Sequence, residues 1–422
     1  MERLVKFAKI IRTNWKKSLV GAFAVYYGAA TAKQKYDINI LMRAACKEAA
    51  QYGDKLIPME RNPTLVTVIL NPVANKRKAK QDFEKYCEPL LHLAGLQVDV
   101  IQTTSEGNAK EIVETLRGTE AIIVAGGDGT LSETVTGLLR RNDEANRFPL
   151  GILPLGKTNT IGNSLFPGGE GIDKVKQLIN ASMAIIKGST IWKDAMKIEP
   201  IPEEDEIPNK PIYALSSLEY GAFRDTLAKK DKYWIYGPWR TYAAFVFNGY
   251  KQSLNWECSG TLKYTPPCNG CSNCVKKKPE LPKRWSFFVP NTKHALSTEM
   301  DYAKIVNPEC AVSQELCFKT SDFRIQSSNI NKSSPVPALS ILLGKSHYSY
   351  VQFISDGWSK VKGQNTSSEP IHVRSVEFLP KKSDKEVLIE IDKEEFEVKP
   401  VKITLLPKVV RLFCQSEINN NN

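Results

Sequence analysis

Residues 121–130 read Ala-Ile-Ile-Val-Ala-Gly-Gly-Asp-Gly-Thr, an apolar run that ends in a glycine-rich turn. The run has the length and composition of a buried strand, and residues 131–141 have the pattern of a helix. Backbone N–H groups and the positive end of a helix dipole make such a turn a phosphate site. Asp128 is well placed there to take a proton from a hydroxyl. The stretch therefore predicts phosphoryl transfer from a nucleotide to an alcohol. Three glycines would shape the phosphate loop: Gly126, Gly127 and Gly129.

Strand-like and helix-like runs alternate from residue 64 to about residue 191. The predicted strands cover 65–70, 96–102, 121–125 and 150–153, and the predicted helices cover 76–93, 108–117, 131–141 and 174–186. This alternation is typical of a parallel sheet with helices on its faces, in which ligands bind beyond the carboxyl ends of the strands. The turns at Asn71, Asp128 and Gly156 all follow strands, so we expect them on one rim.

The pattern changes from about Trp192, where proline and glycine become frequent and the apolar runs become short and alternating, as in 401–405. This composition favours an antiparallel, largely β structure. The sequence therefore predicts an α/β domain with a parallel sheet over 64–191 and a mainly antiparallel β domain over 192–414. The remaining predicted parts of this half are a long insertion at 263–300 and a disordered tail at 415–422.

The first 36 residues differ in composition from the rest of the chain. No acidic residue lies between Arg3 and Tyr36, and residues 19–32 are uncharged. Fourteen helical residues span about 21 Å, less than the roughly 30 Å of a bilayer core. Segment 1–36 is therefore a short membrane anchor, a mitochondrial targeting segment, or a secretory signal with a small-residue site at residues 30–32. The first two alternatives can both hold. A helical linker is predicted to follow at 37–63.

The net charge of +12 and the isoelectric point near 9.1 indicate an anionic partner. Basic surfaces suit nucleic acids, anionic lipids or nucleotide phosphates. The chain has no basic–aromatic repeat and no zinc-finger array. We therefore expect an anionic membrane surface as a partner, and no nucleic acid.

Four motifs resemble the diacylglycerol kinase catalytic family, which includes sphingosine and ceramide kinases. They are Gly-Gly-Asp-Gly-Thr at 126–130, Thr-Val-Ile-Leu-Asn-Pro at 67–72, Pro-Leu-Gly-Lys-Thr-Asn-Thr at 154–160 and Ile-Asp-Lys-Glu-Glu-Phe at 391–396. The resemblance covers roughly residues 64–414. With the basic N-terminal segment and the stretch at 43–49, the chain is most similar to the mitochondrial, acylglycerol-phosphorylating members.

This resemblance implies a lipid kinase that uses ATP with Mg²⁺. The implied substrates are monoacylglycerol and diacylglycerol, and the products are lysophosphatidic and phosphatidic acids. It also implies attachment to the mitochondrial inner membrane or a place in the intermembrane space. Two alternatives remain: a sphingosine or ceramide kinase, and a membrane-bound scaffold of the mitochondrial carrier-import complex, a role that can coexist with catalysis.

The resemblance assigns nucleotide contacts to the turns that follow the strands. The implied nucleotide-binding residues are Asn71, Thr104, Gly126, Gly127, Gly129, Thr130, Glu133, Gly156, Asn159 and Arg240. Arg240 would clamp a phosphate, since a guanidinium matches phosphate geometry. Asn71 could instead cap its turn, and Glu133 could instead cap a helix dipole.

Residues 221–225 and 232–238 resemble the stretch with which sphingosine kinases bind the lipid head group. Asp225 is then a candidate acceptor for a substrate hydroxyl. Asp225 and Arg240 could equally belong to surface ion pairs. Nearby aromatic side chains could line an acyl path or belong to the core: Tyr233, Trp234, Tyr236 and Trp239.

The loop at 154–160 departs from the family pattern. Lys157 stands where a threonine is usual, and Thr160 stands where an aspartate is usual. Gly156 and Asn159 remain. The roles of the polar contacts of this loop are therefore open.

Two carboxylates are candidates for the catalytic base. The family places a catalytic aspartate at Asp128, whereas bacterial relatives use the glutamate that corresponds to Glu394. Asp392 and Glu394 match the family's Asp-Gly-Glu, except that Lys393 replaces the glycine. Strand alternation also allows Asp392 and Glu394 to lie on a solvated face.

Four cysteines follow one another closely in the second half: Cys258, Cys268, Cys271 and Cys274. Four thiolates could hold zinc. The spacing is unlike that of a standard zinc ribbon, so disulfides and a thiol-rich insertion also remain open.

Overall fold

The computed structural model describes residues 13, 15–54, 64–141, 148–202, 210–251, 258–268, 270–272, 305–327, 329, 336–362, 364, 369–381 and 388–415. Residues 1–12, most of the predicted insertion at 263–300 and nearly all of the predicted tail lie outside this set.

Four parallel strands form the centre of the N-terminal half. They are β1 (Leu65–Leu70), β2 (Gln97–Gln102), β3 (Ala121–Gly126) and β4 (Leu150–Pro154), in the order β2-β1-β3-β4. All residues of β3 and β4 are buried. Short apolar runs of this kind form strands that are covered on both faces.

Helices connect these strands and cover the sheet. They are α1 (Trp15–Gly53), α2 (Ala74–Arg77), α3 (Ala79–Asp82), a π-helical turn (Phe83–Cys87), α4 (Glu88–Leu93), α5 (Asn108–Thr115), α6 (Asp128–Arg140), α7 (Thr160–Leu165) and α8 (Ile172–Lys187). The helix predicted at 76–93 is thus present from Ala79 to Leu93, with a π-helical turn inside it, and starts late because Lys76 and Arg77 have positive φ. Helix α6 begins at Asp128, three residues earlier than predicted.

The C-terminal half is mainly antiparallel. Its strands are β5 (Thr190–Pro200), β6 (Ile212–Ala214), β7 (Ser217–Gly221), β8 (Cys258–Thr265), β9 (Gln314–Thr320), β10 (Asp322–Ser327), β11 (Leu339–Leu343), β12 (Ile371–Val373), β13 (Ser375–Pro380), β14 (Leu388–Ile391), β15 (Glu394–Glu397) and β16 (Val401–Phe413). Its helices are α9 (Ala222–Ala228), a 3₁₀ segment (Lys230–Trp239), α10 (Arg240–Lys251), a 3₁₀ turn (Pro308–Ala311) and α11 (Tyr350–Val361).

Strand β16 joins the two halves. It pairs antiparallel with β5 and β13, and Leu412 near its end pairs parallel with Leu150 of β4. One sheet therefore runs β2-β1-β3-β4-β16-β13-β8-β9, with β5 paired to β16 and β6 paired to β5. A second sheet runs β12-β11-β10-β7-β14-β15. The predicted fold class is confirmed. The domain boundaries remain predictions, and β16 shows that the end of the chain returns to the first sheet.

Helix α1 continues across the predicted boundary at residue 36. Its second part is packed, since Ala45 and Ala49 lie in a cluster with Leu90 of α4 and Val175 of α8. Its first part exposes large apolar side chains: Leu19, Val20, Phe23, Val25, Tyr26 and Tyr27. Within the described part of the chain, none of the helices combines the length and apolar composition that crossing a membrane requires.

Candidate active site

A cavity of about 350 Å³ opens at the carboxyl ends of the parallel strands. Most of the residues predicted to bind nucleotide or act as base line it: Asn71, Thr104, Gly127, Asp128, Gly129, Thr130, Glu133, Gly156 and Glu394. Asn71 follows β1, Thr104 follows β2 and Gly156 follows β4, so the parallel topology brings these turns together. A larger groove of about 1280 Å³ lies at the opposite rim, and none of these residues lines it.

Glycines allow two loops of the rim to touch through their backbones. A Cβ on Gly156 would lie 2.2 Å from Gly127 Cα, so a side chain there would force the loops apart. Gly156 N and Leu155 N both donate to the carbonyl of Gly126, at 2.8 and 3.0 Å. Asn159 closes the second loop by accepting from Gly156 N and donating to Gly156 O. Gly126 and Asn159 therefore support the loops that line the cavity without lining it themselves.

The start of α6 is open to the cavity. Gly127 is its N-cap residue, and no side chain among the described residues caps the helix. Gly129 and Thr130, in its first turn, line the cavity. The positive end of a 13-residue helix therefore faces the space, which favours an anion there.

Asp128 holds the neighbouring loop. Its carboxylate accepts hydrogen bonds from Thr160 N at 2.7 Å and from Thr160 Oγ1 at 3.0 Å, and Asp128 N donates to Thr158 O at 3.0 Å. Burial raises the pKa of Asp128, and the Thr160 hydrogen bonds oppose that shift. An aspartate at position 160, as in the family pattern, would set two carboxylates against each other. The threonine makes this loop contact possible.

Glu394 is arranged differently from Asp128. It begins β15 and reaches the glycine turn, where a Cβ on Gly129 would lie 2.5 Å from Glu394 Oε1. We find no hydrogen bond or ion pair to its carboxylate within the described residues. Burial, with help from the charges of Glu133, Glu106 and Asp392, raises the pKa of Glu394 to about 7. A carboxylate with that pKa is about half ionised at neutral pH and suits general-base catalysis.

A two-residue turn positions Glu394. Asp392 and Lys393, between β14 and β15, have φ values of 46° and 72°, as in the tight hairpin turns that usually contain Asn-Gly or Asp-Gly. The Asp392 carboxylate accepts from three successive N–H groups, those of residues 215–217, at 2.7 to 3.0 Å. Burial raises the pKa of Asp392 to about 6 although these N–H groups oppose it. Asp392 therefore anchors the turn and does not line the cavity.

Lys393 ties the same turn to a buried charge network. Its Nζ lies 2.6 Å from Glu390 Oε1 and 3.3 Å from Glu219 Oε1, and Arg324 Nη2 lies 3.2 Å from Glu219 Oε2. Burial alone would raise the pKa of Glu219, but Arg324 and Lys393 together lower it to about 2. Lys393 thus compensates for its unfavourable backbone conformation with two ion pairs.

Comparison with known proteins decides the family. The diacylglycerol kinase catalytic domain model matches residues 65–198, and the acylglycerol kinase C-terminal model matches residues 215–421. The mitochondrial acylglycerol kinase of Homo sapiens is 34% identical over 427 residues, which cover 97% of this chain and 96% of that protein. The chain belongs to the acylglycerol kinase family.

Two further relatives agree with this assignment. The mitochondrial acylglycerol kinase of Mus musculus is also 34% identical, over 97% of each chain. A crystal structure of a Bacillus anthracis protein assigned as a diacylglycerol kinase superposes with a TM-score of 0.52 at 16% identity, covering 85% of this chain and 100% of that one. At that identity the likeness shows the shared fold.

In this acylglycerol kinase family member, two predicted nucleotide contacts also support the rim itself. Asn71 Nδ2 donates to Thr130 Oγ1 at 3.1 Å, and Asn71 Oδ1 accepts from Val73 N at 3.2 Å. Glu133 accepts from Gly107 N at 2.8 Å and from Ala109 N at 3.1 Å, so it caps α5. Thr104 bonds through its backbone and hydroxyl to Asn108 Oδ1. The turn-cap alternative for Asn71 therefore describes a contact that exists, whereas Glu133 caps α5 and not α6, the helix that carries it. Nucleotide contacts by these residues stay predictions.

Lys157 and Arg240 both form ion pairs with Asp231. Neither Arg240 nor Asp231 lines the cavity. Lys157 Nζ pairs with Asp231 Oδ2, and Arg240 Nη1 lies 3.6 Å from Asp231 Oδ1. The hydrogen bond from Lys157 is the main cause that lowers the pKa of Asp231. Sequence reasoning missed Asp231, because no local pattern relates it to a residue so far away in the chain.

Asp225 lies outside the cavity and is held by its neighbour. Arg224 Nη1 donates to Asp225 Oδ1 at 2.9 Å, and the same buried guanidinium pairs with Glu395 and lies 3.7 Å from Glu390 Oε2. The ion-pair alternative for Asp225 is therefore present in the structure, while contact with a substrate hydroxyl stays a prediction. Sequence reasoning also missed Arg224, which connects α9 to the hairpin that carries Glu394.

The predicted cysteine group is divided. Cys258 on β8 is buried beside Tyr220, whose hydroxyl contacts it, and is not grouped with the others. Cys268 and Cys271 lie together with Cys310, which the sequence pattern did not include. Cys274 lies outside the described residues.

Proposed function

We propose that the protein transfers the γ-phosphate of ATP to the hydroxyl of monoacylglycerol and diacylglycerol, giving lysophosphatidic and phosphatidic acids. The observation that carries this proposal is the Glu394 carboxylate, which has a pKa of about 7 and lies against Gly129 at the open start of α6. A base and an anion site are thus neighbours, as transfer of phosphate to an alcohol requires. Membership of the acylglycerol kinase family supplies the substrate class.

In the proposed mechanism Glu394 is the general base. It takes the proton of the lipid hydroxyl while that oxygen forms a bond to the γ-phosphorus, and the bond from the γ-phosphorus to the bridging oxygen breaks to release ADP. The first turn of α6 holds the phosphates through its N–H groups. Asp128 is not the base in this mechanism, because both of its oxygens already accept from Thr160. Catalysis of this type rests mostly on positioning and charge stabilisation.

The oxygen donors of the cavity suit Mg²⁺ as the partner of ATP. Glu106 and Asp128 both line the cavity. A carboxylate has about four acceptor positions, so Asp128 keeps capacity beyond its two hydrogen bonds. Mg²⁺ usually keeps several waters and needs one or two carboxylates besides the phosphates. We propose that Glu106 and Asp128 hold the ion, which would neutralise phosphate charge.

A membrane surface is the proposed source of the lipid. The 3₁₀ segment Lys230–Trp239 exposes Trp234, Ile235 and Trp239, each at least 69% accessible. Basic side chains flank these residues: Lys230, Lys232 and Arg240. Tryptophan favours the membrane–water interface, and lysine and arginine favour anionic lipids. This segment connects to the cavity through the Lys157–Asp231 pair. We therefore propose that it rests on an anionic membrane beside the site.

Mitochondrial localisation is proposed from the family. The exposed apolar side chains in the first part of α1, such as Phe23, supply a second surface for a membrane or for the carrier-import complex. A Glu394→Gln variant that restores carrier import without phosphorylating lipid would separate the import role from catalysis. Failure of both functions together in a folded variant would argue against a separate import role.

The deciding experiment is transfer of labelled phosphate from ATP to monoacylglycerol, diacylglycerol and sphingosine. We expect label in both acylglycerols, and loss of that label in Glu394→Gln. The matched control is Glu397→Gln, in the same strand, whose side chain is 78% accessible. Label in sphingosine alone would favour the sphingosine kinase alternative. No label in any lipid, with ATP still bound, would overturn the kinase proposal.

A further inference from the structure

Three cysteine side chains converge away from the nucleotide cavity. The Sγ atoms of Cys268, Cys271 and Cys310 all lie within 4.8 Å of one another. Cys271 and Cys310 are buried, and Cys268 is half-buried. Among the described residues this is the one group of three or more cysteine, histidine or acidic side chains whose ligand atoms lie this close to one another.

The backbone around this trio holds its two chain segments together. Ser272 N donates to Ile305 O at 3.0 Å, which joins the segment after β8 to the segment before β9. Asn307 Oδ1 accepts from Glu309 N at 3.1 Å and caps the 3₁₀ turn that contains Cys310. The cysteines therefore approach one another on segments that hydrogen bonds already connect.

Hydrogen-bond donors lie next to two of the three sulfur atoms. Asn307 Nδ2 donates to Cys268 Sγ at 3.4 Å, and Arg374 Nη1 lies 3.8 Å from Cys310 Sγ. Positive charge and N–H donors stabilise a thiolate, and such outer contacts orient metal ligands. Asn307 thus connects the cap of the Cys310 turn directly to Cys268.

We propose that Cys268, Cys271 and Cys310 bind a zinc ion as thiolates. Tetrahedral zinc with Zn–S bonds of about 2.3 Å places sulfur atoms roughly 3.8 Å apart. Separations of at most 4.8 Å need only a small contraction to reach that geometry. Sulfur ligands select zinc over the hard cation of the kinase site. Each thiol releases its proton to solvent, and a ligand outside the trio completes the coordination.

The proposed zinc has a structural role. It would connect Cys268 and Cys271, after β8, to Cys310, before β9. None of the three cysteines lines the nucleotide cavity. Loss of zinc should therefore lower the melting temperature of the protein. It should change the rate of phosphoryl transfer little.

The test is the zinc content of the purified full-length protein, measured by mass spectrometry after gel filtration. We expect about one zinc per chain in the wild type. Cys268→Ser, Cys271→Ser and Cys310→Ser should each lose most of it. The matched control is Cys317→Ser, on β9, because Cys317 is exposed and outside the group; it should keep its zinc.

A second measurement does not depend on the folding of the variants. Wild-type protein reconstituted with Co²⁺ should show the thiolate-to-cobalt charge-transfer absorption, and added zinc should remove it. Wild-type protein without zinc and without that absorption would overturn the proposal. So would a disulfide within the trio, found by peptide mapping without reduction, or zinc that all three substitutions leave in place.

Discussion

The carboxylate of Glu394 lies against Gly129: a Cβ added to that glycine would come within 2.5 Å of Glu394 Oε1. The glycine lies in the first turn of α6, whose start is open to the cavity, and the glutamate comes from the last hairpin of the second sheet. The missing side chain at Gly129 is therefore what allows the proposed base to reach the phosphate loop. This contact joins the two halves of the chain at the proposed reaction site.

Gly129→Ala should disable the enzyme without unfolding it. Alanine in a helix is favoured over glycine by about 1 kcal/mol, so the fold should not suffer locally. Its Cβ must displace the Glu394 carboxylate, and a misplacement of about 1 Å can lower a rate on the order of 100-fold. We expect that loss in kcat, measured with monoacylglycerol. Gly129→Asp should abolish activity, since it adds a second carboxylate there.

The control for this substitution is Gly28→Ala. Gly28 is also helical, and a Cβ there would meet nothing within 4 Å. This variant should keep wild-type kcat. Full activity in Gly129→Ala would contradict the placement of Glu394 in the site.

Glu394→Gln should lower kcat and raise stability. Loss of a general base lowers rates roughly 10²–10⁴-fold. The pKa of about 7 lies above the ordinary 4.5, so the folded protein binds more protons than the unfolded chain between these pH values. Stability is therefore lost as pH rises through that window. At pH 8 the amide should stabilise the fold on the order of 2 kcal/mol.

Chemical denaturation at pH 8 and at pH 4 measures this effect. Near pH 4 the glutamate is protonated in both states, so the wild type and the variant should then have similar stability. Glu397→Gln should change neither kcat nor stability appreciably, because its side chain is 78% accessible. Equal stability of the wild type and Glu394→Gln at pH 8 would mean that burial does not raise the pKa of Glu394.

The pH profile of kcat/KM should report the same group. Because the base must be ionised, kcat/KM should rise with pH and level off above a midpoint near 7. Glu394→Gln should lose this titration and retain a low rate that does not depend on it. A midpoint near 4.5, the ordinary value for glutamate, would favour another base.

Lys393→Gly would restore the family's Asp-Gly-Glu and should nevertheless destabilise the protein. Glycine relieves a positive φ, a gain of roughly 1 kcal/mol. The change also removes one of the two cations that neutralise buried Glu219, and breaking such pairs costs about 3–5 kcal/mol when no partner remains. Since Arg324 stays, we expect a net loss of about 1–2 kcal/mol.

Lys408→Gly is the matched control for that substitution. Lys408 has a φ of 51° but an exposed side chain in the irregular part of β16. Its replacement should change the free energy of unfolding by less than about 1 kcal/mol. If Lys393→Gly were the more stable of the two variants, the ion pairs of Lys393 would contribute little.

Trp234→Ser should weaken membrane binding and spare the chemistry. The side chain of Trp234 is 72% accessible, so its replacement removes no core contact. We expect sedimentation with phosphatidylserine-containing vesicles to fall, and phosphorylation of detergent-dispersed monoacylglycerol to stay near wild type. Trp192→Ser, on β5 and 45% accessible, is the control and should bind vesicles normally. Unchanged vesicle binding by Trp234→Ser would place the membrane contact elsewhere.

The sequence alone determined the local architecture and the family. Its periodicity predicted four strands close to their observed bounds, with β1 at Leu65–Leu70 as predicted. Parallel topology then predicted that the turns after those strands share one rim. Both inferences succeed because strand and turn preferences depend on neighbouring residues. The helix predicted at 76–93 was wrong only in its first residues, where Lys76 and Arg77 adopt positive φ.

Only the tertiary structure decided how distant side chains are paired. The sequence offered Asp128 and Glu394 as equal bases; packing gives Asp128 two hydrogen bonds from Thr160 and leaves Glu394 in a buried, negatively charged setting. The 3₁₀ segment Lys230–Trp239 likewise brings Asp231 to Lys157, and the pairing of β8 with β9 brings Cys310 to Cys268. A pKa or a ligand set depends on what surrounds a group in space, and no local pattern contains that information.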